Sequence, residues 1–95
     1  VSVQDKGSLA VSGRLTMETV PALFEKGLRQ LQQGDLHADF SSVEGVDSAA
    51  ISMLLGWKRA AQSNGRELRV VAWPGELLSL ARLYGVDDLL PMHEE

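Results

Sequence analysis

The pair Asp47-Ser48 is where this sequence concentrates its chemistry. A short strand is predicted to end before Val43, and a helix to begin inside Asp47-Ser48-Ala49-Ala50-Ile51. One carboxylate and one hydroxyl therefore fall on a strand-to-helix turn. The first backbone N–H groups of a helix have no intrahelical partners, and the helix dipole adds partial positive charge there. A side chain at that point can cap the helix, hold an anion or accept a phosphate. As a cap, Asp47 or Ser48 contributes about 0.5–2 kcal/mol. As a phosphorylation site, Ser48 gains about −1.5 to −2 charges, which the helix dipole favours and neighbouring Asp47 opposes.

The other reactive side chains form no catalytic set. His37 is expected on the outward face of a strand and His93 in the polar tail, neither with a sequence neighbour at metal-ligand spacing. Asp39 and Asp47 flank one loop without a base or electrophile, and Asp87-Asp88 and Glu94-Glu95 read as solvated charges. There is no glycine-rich phosphate loop and no cysteine. Lacking a nucleophile–base pair, a carboxylate pair or a metal constellation, the chain reads as a non-enzyme with no metal or cofactor. A nucleotide- or small-molecule-binding module is a minor alternative, with the Ser42-to-Ser48 loop and the following helix start as its anion site.

Length and charge narrow the partners. The 95 residues make one domain, 1–95. The net charge of −4, with only Lys58-Arg59 and the Arg66, Arg69 pair as basic clusters, disfavours nucleic acid. No apolar run reaches the roughly 18 residues of a membrane span, so no direct membrane insertion is expected. The start, Val1 to Gly7, lacks the apolar stretch of a signal peptide. A cytoplasmic protein is the expectation.

The elements that must position Ser48 follow from periodicity. Val1–Gln4 and Leu9–Gly13 alternate around the turn Asp5-Lys6-Gly7 and predict a hairpin. Thr16 is the expected N-cap of a helix from about Met17 to Gln33, with Val20, Phe24, Leu28 and Leu31 as its apolar stripe and Gly34 as its stop. Leu36–Phe40 is a strand. The second helix runs from about Ser48 to Ser63 and ends at Asn64-Gly65. Leu68–Ala72 is the last strand. Leu77, Leu80, Ala81 and Tyr84 mark a third helix, and Asp87 to Pro91 a final helical turn. The order β-β-α-β-α-β-α implies an α/β fold with parallel crossovers, made mixed by the opening hairpin.

The second helix is apolar on two sides. Ala50, Ile51, Leu54, Leu55 and Ala61 form one face, predicted to meet the core. Ala49, Met53, Gly56 and Ala60 form a strip roughly opposite, with Trp57 on the border. Such a helix is either sandwiched within its own protein or docked on another. A small domain offers little second layer, which favours a partner; alanines chosen for helix propensity are the simpler account.

The order of elements and the turn Asp47-Ser48-Ala49-Ala50-Ile51 resemble the STAS domain, named for sulfate transporters and anti-sigma-factor antagonists. Its motif there is Asp, Ser or Thr, a small residue, Gly and an aliphatic residue. The chain has Ala50 where Gly is usual, and a β-carbon there is expected to obstruct close backbone approach. The resemblance implies a STAS-type (SpoIIAA-like) α/β fold: a mixed four-stranded sheet with helices mainly on one side. Two branches are in view. In one, the matching hydroxyl is phosphorylated by a serine kinase that is also the anti-sigma factor. In the other, a stand-alone subunit sits on the ATPase of the Mla phospholipid-transport system, within a complex of permease and lipid-binding subunits. Leu77 to Pro91, with its Leu-Ala-x-Leu-Tyr core and terminal Leu-Pro, and Gly13-Arg14-Leu15-Thr16 are more similar to the second branch. The resemblance thus implies a non-catalytic subunit, held peripherally at the inner membrane, that stabilises or activates an ABC transporter maintaining outer-membrane lipid asymmetry. The alternative is an anti-sigma-factor antagonist switched at Ser48. In either case the implied contact residues are Asp47, Ser48, Ala49, Ser52, Met53, Gly56, Trp57 and Ala60.

Overall fold

The computed structural model describes residues 2–3 and 7–90. The strands are β1 (Ser2–Val3), β2 (Ser8–Leu15), β3 (Leu36–Val46) and β4 (Leu68–Val71). The helices are α1 (Val20–Gln33), α2 (Ser48–Asn64) and α3 (Gly75–Leu83), followed by a 3₁₀ turn at Asp87–Leu89. The expected turn residues Asp5 and Lys6, and the tail with His93, Glu94 and Glu95, lie outside the described residues.

Strand order is β1-β2-β3-β4. β2, β3 and β4 run parallel, and β1 adds only the antiparallel pairs Ser2↔Ala10 and Val3↔Leu9. The expected mixed four-stranded sheet is met in part. Its body is three parallel strands, and the antiparallel member is a two-residue edge. The parallel strands advance in one direction across the sheet. Right-handed crossovers on such an order place successive helices on the same face. The burial pattern agrees. Leu9, Val11, Leu36, Ala38, Phe40, Leu68 and Val70 are buried, whereas their outward neighbours Ser12, His37 and Arg69 are exposed.

Two boundaries differ from expectation. β3 does not stop at Phe40 but continues through Val46, pairing Gly13↔Val43 after one register shift and Leu15↔Val46 after a second. Ser42 to Val46 is therefore strand rather than a loop, which removes the cradle that a nucleotide site would need. The first helix begins at Val20 rather than Met17. Thr16 instead heads a turn, its carbonyl accepting the N–H groups of Thr19 and Val20 at 3.0 and 2.8 Å.

α1 and α2 lie against each other through reciprocal glycines. A β-carbon on Gly27 of α1 would stand 2.2 Å from Trp57 of α2, and one on Gly56 of α2 would stand 2.6 Å from Phe24 of α1. Each glycine makes room for the other helix's aromatic ring. The Trp57 indole N–H also donates to the Phe24 carbonyl at 3.0 Å, satisfying a polar group on a side chain that is fully buried.

Candidate functional site

Asp47, not Ser48, caps α2. Its backbone is extended, and its Oδ1 accepts the Ala49 N–H at 2.7 Å. Its Oδ2 accepts the Met17 N–H at 3.3 Å, and its own N–H donates to the Leu15 carbonyl at 2.9 Å. One residue, through its carboxylate and its backbone N–H, thus ties the turn at residues 16–19 and the head of α2 to the end of β2. Glu76, in the first turn of α3, adds a fourth segment by accepting the Val46 N–H at 3.2 Å. These bonds fix the strand-to-helix corner from three sides.

Ser48 is the first residue of α2 and is exposed. With Asp47 acting as the cap, its hydroxyl makes none of the hydrogen bonds found among the described residues. It stands on a shallow groove between the heads of α1 and α2, lined by Met17, Val20, Pro21, Asp47, Ser48, Ala49 and Ser52. Met17, 74% exposed, forms the rim. The groove is mostly apolar, and the first turn of α2 carries no charged residue.

The expected contact strip on α2 divides here. Asp47, Ser48, Ala49 and Ser52 are brought together on the groove. Met53 and Trp57 are not: they are 1% and 0% exposed and belong to the core. Gly56 is covered by Phe24, and Ala60 packs half-buried against the core. Beyond Ala49, the second apolar strip is therefore packed inside the protein, with Phe24 of α1 over Gly56, and is corrected as a docking face. The truly exposed positions of α2 are Ser48, Ser52, Arg59, Gln62, Ser63 and Asn64. Ala50 is fully buried, so its β-carbon points into the core and offers no obstruction to a partner.

Two participants escaped the sequence reading. Met17 sits on the groove rim because residues 16–19 form a turn instead of helix. Glu76 reaches β3 from 30 residues away. Neither contact leaves a local signal.

At the opposite end of the sheet, the fold brings His37 together with Asp35 and Glu67, their ligand-type atoms within 4.8 Å of one another and all three residues exposed. Hydrogen bonding accounts for the grouping. The Glu67 N–H donates to Asp35 Oδ1 at 2.8 Å, the Leu36 N–H to the Glu67 carbonyl at 2.9 Å, and His37 pairs with Glu67 at 3.6 Å.

A family model described as "Mlab, STAS domain" matches residues 2–91. Among curated proteins, the anti-sigma-B factor antagonist of Staphylococcus epidermidis is 26% identical, covering 99% of this chain and 89% of that protein. The Staphylococcus aureus anti-sigma-B factor antagonist is 28% identical, covering 98% and 89%. The unphosphorylated anti-sigma factor antagonist SpoIIAA has a similar structure, with TM-score 0.72 and 13% identity over 92% of this chain and 80% of that one. A crystal structure from Thermotoga maritima superposes with TM-score 0.78 and 15% identity over 99% and 84%. At those identities the structural likeness speaks for the fold alone.

Proposed function

Because the chain belongs to the STAS domain family, we propose that it works by docking another protein in the groove at the head of α2, as an anti-sigma-factor antagonist does, with Ser48 as the switch. The observation that carries this reading is the division of labour at the corner. Asp47 performs the cap, and Ser48 is left exposed on an apolar groove, its hydroxyl making no hydrogen bond among the described residues. A phosphate on Ser48 would set about −1.5 to −2 charges beside Asp47, in a first helical turn without a basic residue. The dipole eases that charge, but the first turn of α2 supplies no cation to neutralise it. An apolar partner surface would then have to desolvate it, and docking would be lost. The partner of this reading is an anti-sigma serine kinase. The curated relatives that match over nearly the whole chain support it over the transporter role favoured by the sequence resemblance.

The description of the matching family model keeps a second reading in view: an accessory subunit docked by the same groove on the ATPase of a phospholipid ABC transporter. No described helix is long and apolar enough to cross a membrane, so membrane association in that reading comes through the partner.

Affinity purification of the tagged chain from its native host in mild detergent separates the two. Recovery of a serine kinase, together with a phosphorylated Ser48 in intact-mass spectra, is the expected result. Recovery of an ABC ATPase with its permease and a lipid-binding protein, and no phosphate in any growth state, would replace the first reading with the second.

A further inference from the structure

We propose that Trp73 is a guard that keeps the outer edge of β4 from pairing with the same edge of a second copy of this chain. β4 ends the sheet on one side, and among the described residues no strand lies beyond it. Its register fixes what that edge presents. The Leu36 N–H donates to the Glu67 carbonyl at 2.9 Å, and Leu36 and Ala38 stand opposite Leu68 and Val70. In a parallel ladder of that phase, the N–H and C=O groups of Arg69 turn toward β3, and those of Leu68 and Val70 turn away from it. Outward groups of this kind are a template for another strand. The opposite edge is protected by its shortness, since β1 has 2 residues. β4 is longer, has no proline and pairs with β3 without a register shift, so it lacks those protections.

Trp73 supplies the cover instead. Its indole N–H donates at 2.9 Å to the Val70 carbonyl, one of the outward groups. Val70 is 0% exposed, although it lies on the outermost strand. The hook is made by Ala72, whose φ of +60° reverses the chain directly after β4. L-residues disfavour that conformation. What the turn accomplishes is to lay Trp73 back along the strand it has just left, where its ring stands 6.4 Å from that of Phe40.

Without the indole, two copies fit antiparallel about Arg69. Leu68 of each copy then faces Val70 of the other and exchanges both N–H···O bonds with it. An indole on each Val70 carbonyl removes one bond from each of these pairs. In the same register Arg69 meets the second copy's Arg69 as a non-hydrogen-bonded pair, where side chains come closest. Like charges directly opposite each other oppose association.

The charge at residue 69 makes the test specific to this edge. Trp73→Ala mixed with Trp73→Ala/Arg69→Glu sets arginine against glutamate. The unaltered chain mixed with Arg69→Glu does the same with the guard in place. Sedimentation velocity of both mixtures, on the full chain with the fold checked by circular dichroism, gives two dissociation constants. The heterodimer lacking Trp73 is expected to be about ten-fold tighter, because two hydrogen bonds are freed. Trp73→Ala by itself is expected to associate more weakly than its mixture with Trp73→Ala/Arg69→Glu. Equal constants in the two mixtures, or no association in either, would overturn the guard. So would a Trp73→Ala protein that associates as well with itself as with its Arg69→Glu counterpart, since the contact would then lie elsewhere. Should Trp73→Ala not fold, Trp73→Leu keeps apolar bulk beside Phe40 and removes the donor, and the same comparison decides.

Discussion

At Asp47 and Ser48, neighbouring polar residues have opposite relations to stability. Asp47 makes two side-chain bonds and Ser48 makes none of those described. Asp47→Ala is therefore expected to destabilise the domain by about 1–2 kcal/mol, the upper range for a lost N-cap. Ser48→Ala is expected to change stability by less than about 0.5 kcal/mol, as surface substitutions do. Urea unfolding of both variants checks the contrast. Equal losses would mean that the serine shares the cap and is not free to act as a switch. The location of this corner was legible in the sequence, because an Asp-Ser pair before an apolar run is a helix-start signal. The assignment of tasks within the pair was not, since Asp and Ser are about equally good caps. What decides is the second bond to Met17, across 30 residues.

Between elements, close packing explains both what the sequence disclosed and what it hid. The order of strands and helices followed from periodicity and from stops such as Gly65, whose φ of +66° is a left-handed C-cap. The meaning of the small residues on α2 did not follow. Ala49, Gly56 and Ala60 suit a partner helix and an internal helix equally well. Only the facing Gly27 and Phe24 of α1 show that the helix is internal. Gly27→Ala is expected to destabilise the fold by about 1–3 kcal/mol, the usual range for overpacking, although alanine is the better helix former by about 1 kcal/mol. Its added carbon has no space beside the Trp57 ring. Thermal unfolding checks this, and a gain in stability would show that α1 can shift away from α2.

The link from β4 to α3 carries the opposite kind of strain. Ala72 is the non-glycine residue with positive φ, +60°, among the described residues. The turn it makes brings Trp73 back onto β4, where its indole N–H donates to the Val70 carbonyl at 2.9 Å. Its ring lies 6.4 Å from that of Phe40. A left-handed conformation costs an L-residue roughly 1–2 kcal/mol. Part of this is returned by glycine's greater freedom when unfolded. Ala72→Gly is accordingly expected to raise stability by up to about 1 kcal/mol, seen as a higher urea midpoint at an unchanged slope.

Over the whole molecule, a sheet covered on one face makes α1 and α2 both the roof of the core and the frame of the groove. The head of α2 lies at the carboxyl ends of β2 and β3, the edge where open parallel sheets place their sites. The His37 grouping lies at the other edge, too far to matter for docking. The roof meets at Trp57, which is fully buried, fills the notch at Gly27 and donates to Phe24. Trp57→Ala is expected to cost about 3–5 kcal/mol, out of the 5–15 kcal/mol typical of a whole domain. So large a share, lost at the joint between two helices, should not simply weaken the groove. It should lower the unfolding midpoint and abolish partner binding together, with binding recovered on cooling. Trp57→Phe keeps most of the apolar volume and loses the indole bond, so a smaller loss of about 1–2 kcal/mol with docking retained is expected. If Trp57→Phe kept its stability and lost the partner, the buried indole would have to reach the interface, and the internal role of the α2 strip would be wrong.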